Sequence, residues 1–258
     1  MGWLNGADEA SGGVIAASTV VDRVPGQRTR RGTVLAVSGL GYTTDDGRGV
    51  VRDIGFEVAA GEAYGLAGPT GSGKSTIVRL VTGLLGADTG SITVGGESID
   101  AYDGFQLRHV VSYVPQSAVM VPTATMAETL AFWARFHRIP RAERADRIAE
   151  ALRRAGLAAH AAVPVDRCTG GELRELCLAM SLLIRPRMLV LDQPTAHIDP
   201  DSRVRLLTTL SDLRDQGMSV LYAGSDLLEV RWLCDRVGLL DEGTLLPDGA
   251  DTLTGSLA

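Results

Sequence analysis

The segment from Gly68 to Thr76 constrains the fold of this chain more than any other feature. It follows a short apolar run (Ala63–Ala67), precedes an apolar helical pattern (Ile77–Leu85), and has the form Gly-x4-Gly-Lys-Ser. This is the phosphate-loop pattern in its strand–loop–helix setting. Glycines let backbone N–H groups curve around phosphate oxygens, and the helix N-terminus adds partial positive charge. We predict that the phosphates of a nucleotide are bound by Gly68, Pro69, Thr70, Gly71, Ser72, Gly73, Lys74, Ser75 and Thr76.

Lys74 is the single lysine of the 258-residue chain, beside 24 arginines. An ε-ammonium group is a compact point charge on a thin stem, whereas a guanidinium is a wide planar fork. Because the chain otherwise uses arginine as its basic residue, the single lysine indicates a position whose function requires the compact ammonium group. We expect Lys74 to reach the β and γ phosphates and the Ser75 hydroxyl to bind Mg²⁺.

Net charge and aromatic content limit what the chain can bind. The formal charge is −6 at pH 7, and aromatic residues make up 5% of the chain. A nucleic-acid interface needs a basic face, and stacking platforms for single strands need aromatic side chains. We therefore expect no nucleic-acid partner.

Cysteines and apolar runs indicate the compartment. Cys168, Cys177 and Cys234 are too few and too unevenly spaced for a disulfide framework. No apolar run approaches the roughly 18 to 20 residues of a membrane span. The run at 14–21 follows acidic rather than basic residues, unlike a secretory signal. The sequence thus predicts a protein of a reducing cytoplasm that reaches a membrane only through partners.

The hydrophobic pattern divides the chain into tails and one α/β unit. Residues 1–32 are rich in Gly, Ala, Ser and Thr and predict a disordered tail, and 249–258 form a short C-terminal tail. Strand patterns then give way to helical periodicity from Thr125 to Gly156, within a helical subdomain at about 117–172. Helices and strands alternate after about residue 168. Strands are predicted at Thr33–Val37, Ile54–Val58, Ala63–Ala67, Ser91–Val94, Val110–Val114, Met188–Leu191, Ser219–Ala223 and Val237–Leu240. Helices are predicted from Thr125, from Pro140 to Gly156, and at Gly171–Ile184, Ser202–Gln216 and Leu227–Cys234.

Further motifs follow the phosphate loop in a fixed order. They are "SYVPQ" ending at Gln116, Cys168-Thr-Gly-Gly-Glu172 at a helix start, Met188-Leu-Val-Leu-Asp192, and "LCDRVGLLDEGTL". This order of motifs resembles that of the nucleotide-binding domain of ABC transporters. The residues of these segments are most similar to the cassettes of bacterial drug and antibiotic exporters. The resemblance covers roughly 33–248. It implies an α/β fold: a P-loop NTPase core with a mostly parallel sheet, an N-terminal antiparallel β-subdomain and an α-helical insertion subdomain.

The resemblance also implies how the nucleotide and its metal are held. Mg²⁺ would be bound by Ser75, Gln116 and Asp192, with Asp192 acting through water. Gln116 would also sense the γ-phosphate and relay to a membrane subunit. Tyr42, the aromatic residue of the first strand region, would stack on the adenine of ATP.

A second set of residues would act on the nucleotide of an opposite subunit. The signature residues Thr169, Gly170, Gly171 and Glu172 open a helix whose backbone N–H groups would face the γ-phosphate of ATP held by the other cassette. Asp199 would be the aspartate that touches that cassette. Cys168 stands where leucine is usual, and we interpret it as a packing residue.

Two positions depart from the family in its hydrolytic relay. Gln193 follows Asp192 where the family has glutamate, and an amide has no useful basicity. Ser225 stands where the family has histidine and is too short to bridge the γ-phosphate and the catalytic group. With the phosphate-binding residues retained, the chain resembles a cassette that binds MgATP and cleaves it poorly.

Three functions are compatible with this pattern. The first is the ATP-binding subunit of a membrane exporter, which carries a degenerate half-site and forms a heterodimer with a second cassette. It would lie on the inner face of the cell membrane, held there by transmembrane permease subunits. The second is a homodimer with slow hydrolysis that acts as an ATP-gated regulator or clamp. The third, a soluble repair or translation ATPase, usually needs paired cassettes, a coiled-coil insertion or a basic face, which this sequence lacks.

Overall fold

The computed structural model describes residues 32–115 and 120–246. Its strands are β1 (Thr33–Thr43), β2 (Gly49–Ala59), β3 (Ala63–Ala67), β4 (Thr89–Val94), β5 (Glu97–Ser98), β6 (Val111–Val114), β7 (Met188–Asp192), β8 (Ser219–Gly224), β9 (Arg236–Asp241) and β10 (Thr244–Leu245). Its α-helices are α1 (Lys74–Val81), α2 (Gly104–Val110), α3 (Met126–Phe136), α4 (Arg144–Arg154), α5 (Gly170–Leu182), α6 (Pro200–Asp215) and α7 (Leu227–Leu233). Short 3-10 turns lie at Ile99–Ala101, Ala158–His160 and Val165–Arg167.

The strands form two sheets. An antiparallel sheet has the order β2-β1-β4-β5, and a second sheet has the order β10-β9-β3-β8-β7-β6. The second sheet is parallel from β9 to β6, and β10 joins it antiparallel to β9. Helices α3 and α4 interrupt this alternation between β6 and β7. The predicted α/β class, with an antiparallel β-subdomain and a helical insertion, is confirmed.

Parallel pairing brings three strand ends to one edge. Ala67 at the end of β3 pairs with Gly224 at the end of β8, and Asp192 at the end of β7 pairs with Ala223. The carboxyl ends of parallel strands in an open α/β sheet are where ligands bind. The phosphate loop and the segments after β7 and β8 therefore share that edge.

The parallel sheet is buried on both faces, as parallel sheets in α/β proteins are. Leu191 and Tyr222 belong to an apolar cluster with α3, α5 and α6, whereas Val190 and Leu221 belong to a cluster with α1 and the antiparallel sheet. The four-stranded sheet is thereby packed against the phosphate-loop helix. In the part of the chain that the structure describes, no helix is long and apolar enough to cross a bilayer.

Several predicted boundaries are wrong. β1 extends beyond the predicted Val37 because it passes through Gly39 (φ +61°) with register shifts against β2, so irregular pairing absorbs the glycines. Helix α4 begins at Arg144 rather than at Pro140, because the Glu143 N–H donates to the Pro140 carbonyl (2.9 Å) in a tight turn first. Gly156 (φ +79°) follows the end of α4, as its assignment as a helix stop predicted.

Candidate nucleotide-binding site

The phosphate loop connects β3 to α1 and is built on close backbone contacts. Gly73, at the start of α1, has φ +106°, and a Cβ atom there would lie 2.9 Å from the Val50 carbonyl oxygen. A Cβ atom at Gly68 would overlap the Leu240 carbonyl oxygen. Both positions therefore require glycine, because other strands approach the loop too closely for a side chain.

Lys74 is buried beneath the loop, with 2% of its surface exposed. Its Nζ donates to the carbonyl oxygens of Gly68 and Pro69, both at 2.7 Å, and to Ser72 Oγ at 3.2 Å. Burial lowers the pKa of Lys74, and the nearby Asp192 carboxylate opposes that shift. The loop thus encloses a positive charge at the point where its backbone curves.

The N-terminus of α1 has no side-chain cap, since its N-cap residue is Gly73. Side chains cap five of the other α-helices that the structure describes, and α4 alone among these others has no side-chain cap. The capping residues of α2, α3, α5, α6 and α7 are Asp103, Thr125, Thr169, Asp199 and Asp226. The first N–H groups of a helix need acceptors from outside the helix. At α1 these groups are left for an anion, which the partial positive charge of the helix end favours.

Ser75 and Asp192 lie at the same point of the site. The Ser75 hydroxyl donates to Asp192 Oδ1 at 3.0 Å, and Asp192 is 5% exposed. Burial raises the pKa of Asp192, and the Ser75 hydrogen bond partly opposes this rise. Hydroxyl and carboxylate oxygens are hard ligands, and Mg²⁺ is usually held by one or two such protein groups together with water and phosphate oxygens. The donor set fits Mg²⁺ bound jointly with a nucleotide.

Gln193 and Ser225, the two predicted departures from the family's relay, lie at the ends of neighbouring strands. The Gln193 N–H donates to the Ala223 carbonyl (2.8 Å), which fixes the backbone after β7 against β8. Gln193 has φ +46°, an uncommon value for a residue with a side chain. Ser225 follows β8 directly and is exposed. The fold therefore brings both residues to the edge that holds the phosphate loop.

Tyr42 lies on the hairpin next to the phosphate loop. It pairs with Val51, whose neighbour Val50 borders Gly73 through its carbonyl group. Its ring is partly buried against the core of the antiparallel sheet. This placement agrees with a position beside a bound nucleotide, and its stacking role stays a prediction.

The signature residues open α5. Thr169 caps the helix: its Oγ1 accepts from the Glu172 N–H (3.2 Å), and its own N–H donates to Glu172 Oε2 (2.7 Å). A Cβ atom at Gly170 would meet nothing within 4 Å, whereas one at Gly171 would overlap Ser202 on α6. Gly170 therefore faces open space, and Gly171 lies where α5 and α6 approach each other closely.

Of three other predicted residues, Asp199, Cys168 and Gln116, the structure describes the first two. Asp199 is exposed and caps α6, with its Oδ1 accepting from the Ser202 N–H at 2.9 Å. The Ser202 hydrogen bonds lower the pKa of Asp199. Cys168 packs partly against the core with its Sγ 3.3 Å from the Pro164 carbonyl oxygen, as expected of a packing residue. Gln116 lies outside the described residues.

Two residues near the site were not predicted. Arg174 on α5 is buried and donates to the carbonyl oxygens of Pro115 (3.3 Å) and Ala196 (3.2 Å), so it joins the segments after β6 and β7 to the signature helix. Gly243 donates to the Ser72 carbonyl (3.0 Å) and accepts from the Arg52 N–H (2.8 Å). No local sequence pattern identifies either residue, because each forms hydrogen bonds with backbone groups that are distant along the chain.

The fold and this loop define a P-loop NTPase. The sequence profile of the family described as "ABC transporter" matches residues 51–196, more than half of the chain. The chain therefore belongs to the ABC transporter family.

Relatives and a solved structure agree with this assignment. The chain is 36% identical over 203 residues to the linearmycin resistance ATP-binding protein LnrL of Bacillus subtilis, covering 79% of this chain and 65% of that protein. It is 36% identical over 200 residues to the Nod factor export ATP-binding protein I of Sinorhizobium fredii, covering 78% and 58%. The structure of CbiO1 from Clostridium perfringens, part of the ABC transporter complex CbiONQ, superimposes with a TM-score of 0.77 at 26% identity, covering 83% of this chain and 87% of that one. The chain thus spans less than two thirds of the length of these two curated relatives.

Proposed function

We propose that this chain is the ATP-binding subunit of a membrane exporter and that its own nucleotide site binds MgATP but hydrolyses it weakly. One observation carries the proposal. The groups that would hold phosphate and metal (Lys74, Ser75 and Asp192) are assembled at one edge of the sheet, while the neighbouring positions Gln193 and Ser225 lack a base and a bridging imidazole.

Positive charge supports the phosphate-binding half of the proposed site. Buried Lys74 and the uncapped N-terminus of α1 present positive charge and N–H donors to the same space. Ser75 and Asp192 would hold Mg²⁺, which would neutralise phosphate charge when bound. Tyr42 and Gln116 would complete the site at the adenine and the γ-phosphate.

Weak hydrolysis follows from the chemistry of Gln193. A carboxylate at this position accepts a hydrogen bond from the attacking water and polarises it, whereas the amide is nearly isosteric but not basic. General-base assistance is worth about 10² to 10⁴-fold in rate. Ser225 cannot supply the missing link, because its side chain ends one bond beyond Cβ.

A second cassette is part of the proposal. Gly170 faces open space at the N-terminus of α5, where its N–H can meet a ligand held by another subunit. Asp199 is exposed at the start of α6 and would touch the same subunit. We favour a heterodimer, in which the signature residues Thr169 to Glu172 complete a competent site on the partner, over a homodimeric ATP-gated clamp.

The proposed unit is the cassette at 33–248, with its helical subdomain at about 117–172, docked on transmembrane permease subunits at the inner face of the membrane. Export is favoured because one relative is named for resistance to linearmycin and another for Nod factor export. The chain would then be cytoplasmic and peripheral to the membrane.

Two measurements test the proposal. Isothermal titration of the purified chain with ATP in Mg²⁺, and again in EDTA, should show tight binding only with the metal. Sedimentation velocity with saturating MgATP should then show a monomer. Absence of MgATP binding would refute the proposed site, and an ATP-dependent homodimer would overturn the heterodimer in favour of the clamp.

A further inference from the structure

A buried carboxylate, Glu229, lies behind Gln193 and Ser225. It is 9% exposed and sits on α7, which begins just after Ser225. Its Oε2 accepts hydrogen bonds from Thr195 Oγ1 (2.6 Å) and from the Tyr222 hydroxyl (3.0 Å). Its other oxygen, Oε1, lies 3.1 Å from Arg203 Nη1 on α6.

These contacts join segments that leave the sheet separately. Thr195 belongs to the segment after β7, two residues beyond Gln193, and Tyr222 lies inside β8 and is fully buried. Arg203 lies one helical turn after Asp199, the N-cap of α6. A single side chain thus contacts the segment of Gln193, the strand that leads to Ser225, and the helix that Asp199 caps.

A carboxylate that is buried needs partners for both oxygens, and one that has lost its partners is costly. Here Oε2 accepts from two hydroxyl groups, whereas Oε1 forms an ion pair with the Arg203 guanidinium but accepts no hydrogen bond from the residues that the structure describes. Thr195 and Tyr222 also lie within hydrogen-bond distance of each other, at 3.2 Å. Two hydrogen bonds and an ion pair, all made by one buried side chain, restrict the relative position of the three segments that supply the partners.

We propose that Glu229 is a positioning residue that holds the segment 193–198 in place relative to Ser225 and to the α6 helix. It does not touch the nucleotide, and it acts through Thr195, Tyr222 and Arg203. This inference rests on the proposed function for its consequence in catalysis, but its structural content is independent of nucleotide. The network would align positions 193 and 225 even though these positions carry neither a carboxylate nor an imidazole.

Hydrogen exchange of the nucleotide-free chain tests the network directly. Glu229→Gln should raise amide exchange in 193–198 at least fivefold, because the amide removes the negative charge that faces both Arg203 and the two hydroxyl donors. Thr195→Val, which removes one donor with little change of shape, should do the same and serves if Glu229→Gln fails to fold. Arg203→Gln should raise the same exchange, although Arg203 lies outside this segment.

Glu175 provides a matched control. It is also a buried glutamate (5% exposed) paired with an arginine of α6, since its Oε1 lies 3.3 Å from Arg205 Nε. Glu175→Gln should change exchange in 193–198 by less than twofold. The proposal is overturned if the Glu229 and Glu175 variants give the same pattern, or if exchange rises equally in the antiparallel sheet. Unchanged exchange in the Thr195 or Arg203 variant would overturn the corresponding link.

A kinetic readout separates positioning from general stability. In a chain carrying Gln193→Glu and Ser225→His, Glu229→Gln should lower kcat at least tenfold with the KM for ATP within threefold, and Glu175→Gln should alter neither. Equal loss in both variants would overturn the proposal. A lack of turnover in the doubly repaired chain itself would count against the proposed function, whereas the exchange results would still decide the role of Glu229.

Discussion

The hydroxyl of Ser75 and the carboxylate of Asp192 are joined by a hydrogen bond of 3.0 Å, although 117 positions separate them in the chain. Ser75 belongs to the first turn of α1, and Asp192 ends β7. The bond connects the phosphate loop to the strand that carries the site's acidic group. Both oxygens therefore converge on the place where a metal bound to nucleotide phosphates would lie.

Removing the buried cation should remove nucleotide binding. Lys74→Ala deletes the single ammonium group that lies inside the phosphate loop, and we expect isothermal titration to detect no MgATP binding. Arg147→Ala, on α4 of the helical insertion, removes an arginine paired with Glu143; it is the control and should bind as the unaltered chain does. If Lys74→Ala binds MgATP within threefold of the unaltered chain, the phosphate-loop assignment is wrong.

The chain alone should be a slow ATPase. Because Gln193 supplies no base, we expect hydrolysis at least tenfold slower than by a cassette with both relay residues, measured by phosphate release at saturating MgATP. Enzymes commonly turn over at 1 s⁻¹ or faster as an order of magnitude. Turnover of about 1 s⁻¹ by the unaltered chain would be incompatible with a degenerate site.

Repair of the relay should be non-additive. Gln193→Glu alone should restore part of the activity, because Ser225 still cannot reach between the γ-phosphate and the new carboxylate. Adding Ser225→His should supply that link, so the double variant should exceed the product of the single effects. Rates are measured for all four chains with a second, competent cassette present, so that a signature faces the site. A double variant no faster than the better single variant would place the limit elsewhere, for example in the signature at Thr169 or in dimer closure.

The two signature glycines should differ in what they tolerate. Gly171→Ala places a methyl group against both side-chain atoms of Ser202, which is buried, so α5 and α6 must separate. Overpacking of this kind costs about 1 to 3 kcal/mol, visible as a lower midpoint of urea unfolding. Gly170→Ala meets nothing within 4 Å and should leave the midpoint unchanged or slightly raised. Equal midpoints for the two variants would contradict the packing described for Gly171.

Asp192 should make the nucleotide-free chain less stable as the pH rises. Because burial raises its pKa in the folded state, the folded chain holds this proton more tightly than the unfolded chain does. The resulting stability is present below the ordinary aspartate pKa of 3.8 and is lost as the pH rises through the raised value. Asp192→Asn should therefore unfold at a higher urea concentration at pH 7 and show a flatter pH dependence, while binding MgATP more weakly. A variant less stable than the unaltered chain at pH 7 would reverse this account.

The core of the site could be predicted because its signals are local. β3 was predicted with its observed bounds, since five buried residues lead directly into a glycine loop whose backbone conformation few other sequences adopt. Helix α2 was missed, although Asp103 and Gln106 form a capping box that marks its start. The apolar residues at the end of α2 look like the beginning of the strand that follows.

The network behind the site could not be predicted from sequence. Glu229 lies in a short helix where an acidic residue ordinarily faces water, and its burial depends on α6 and β8 packing around it. Arg174 is similar, because its partners are backbone carbonyl groups, which no sequence pattern identifies. Residues that act through tertiary contacts alone leave no periodic or motif signal.

The hydrogen bonds of Gly243 determine when the phosphate loop can take its shape during synthesis of the chain. Its N–H and carbonyl groups connect Ser72 in the phosphate loop to Arg52 in β2, and a Cβ atom there would overlap the Val50 carbonyl group. The phosphate-loop sequence emerges early during synthesis, whereas Gly243, which holds the loop, emerges only after all five parallel strands, β3 and β6 to β9. Contacts so distant in sequence have a large loop-closure cost and form slowly. A nascent chain therefore carries the whole phosphate-loop sequence well before it can hold that loop in shape, and its nucleotide site matures only as β9 and the turn that follows it take their places.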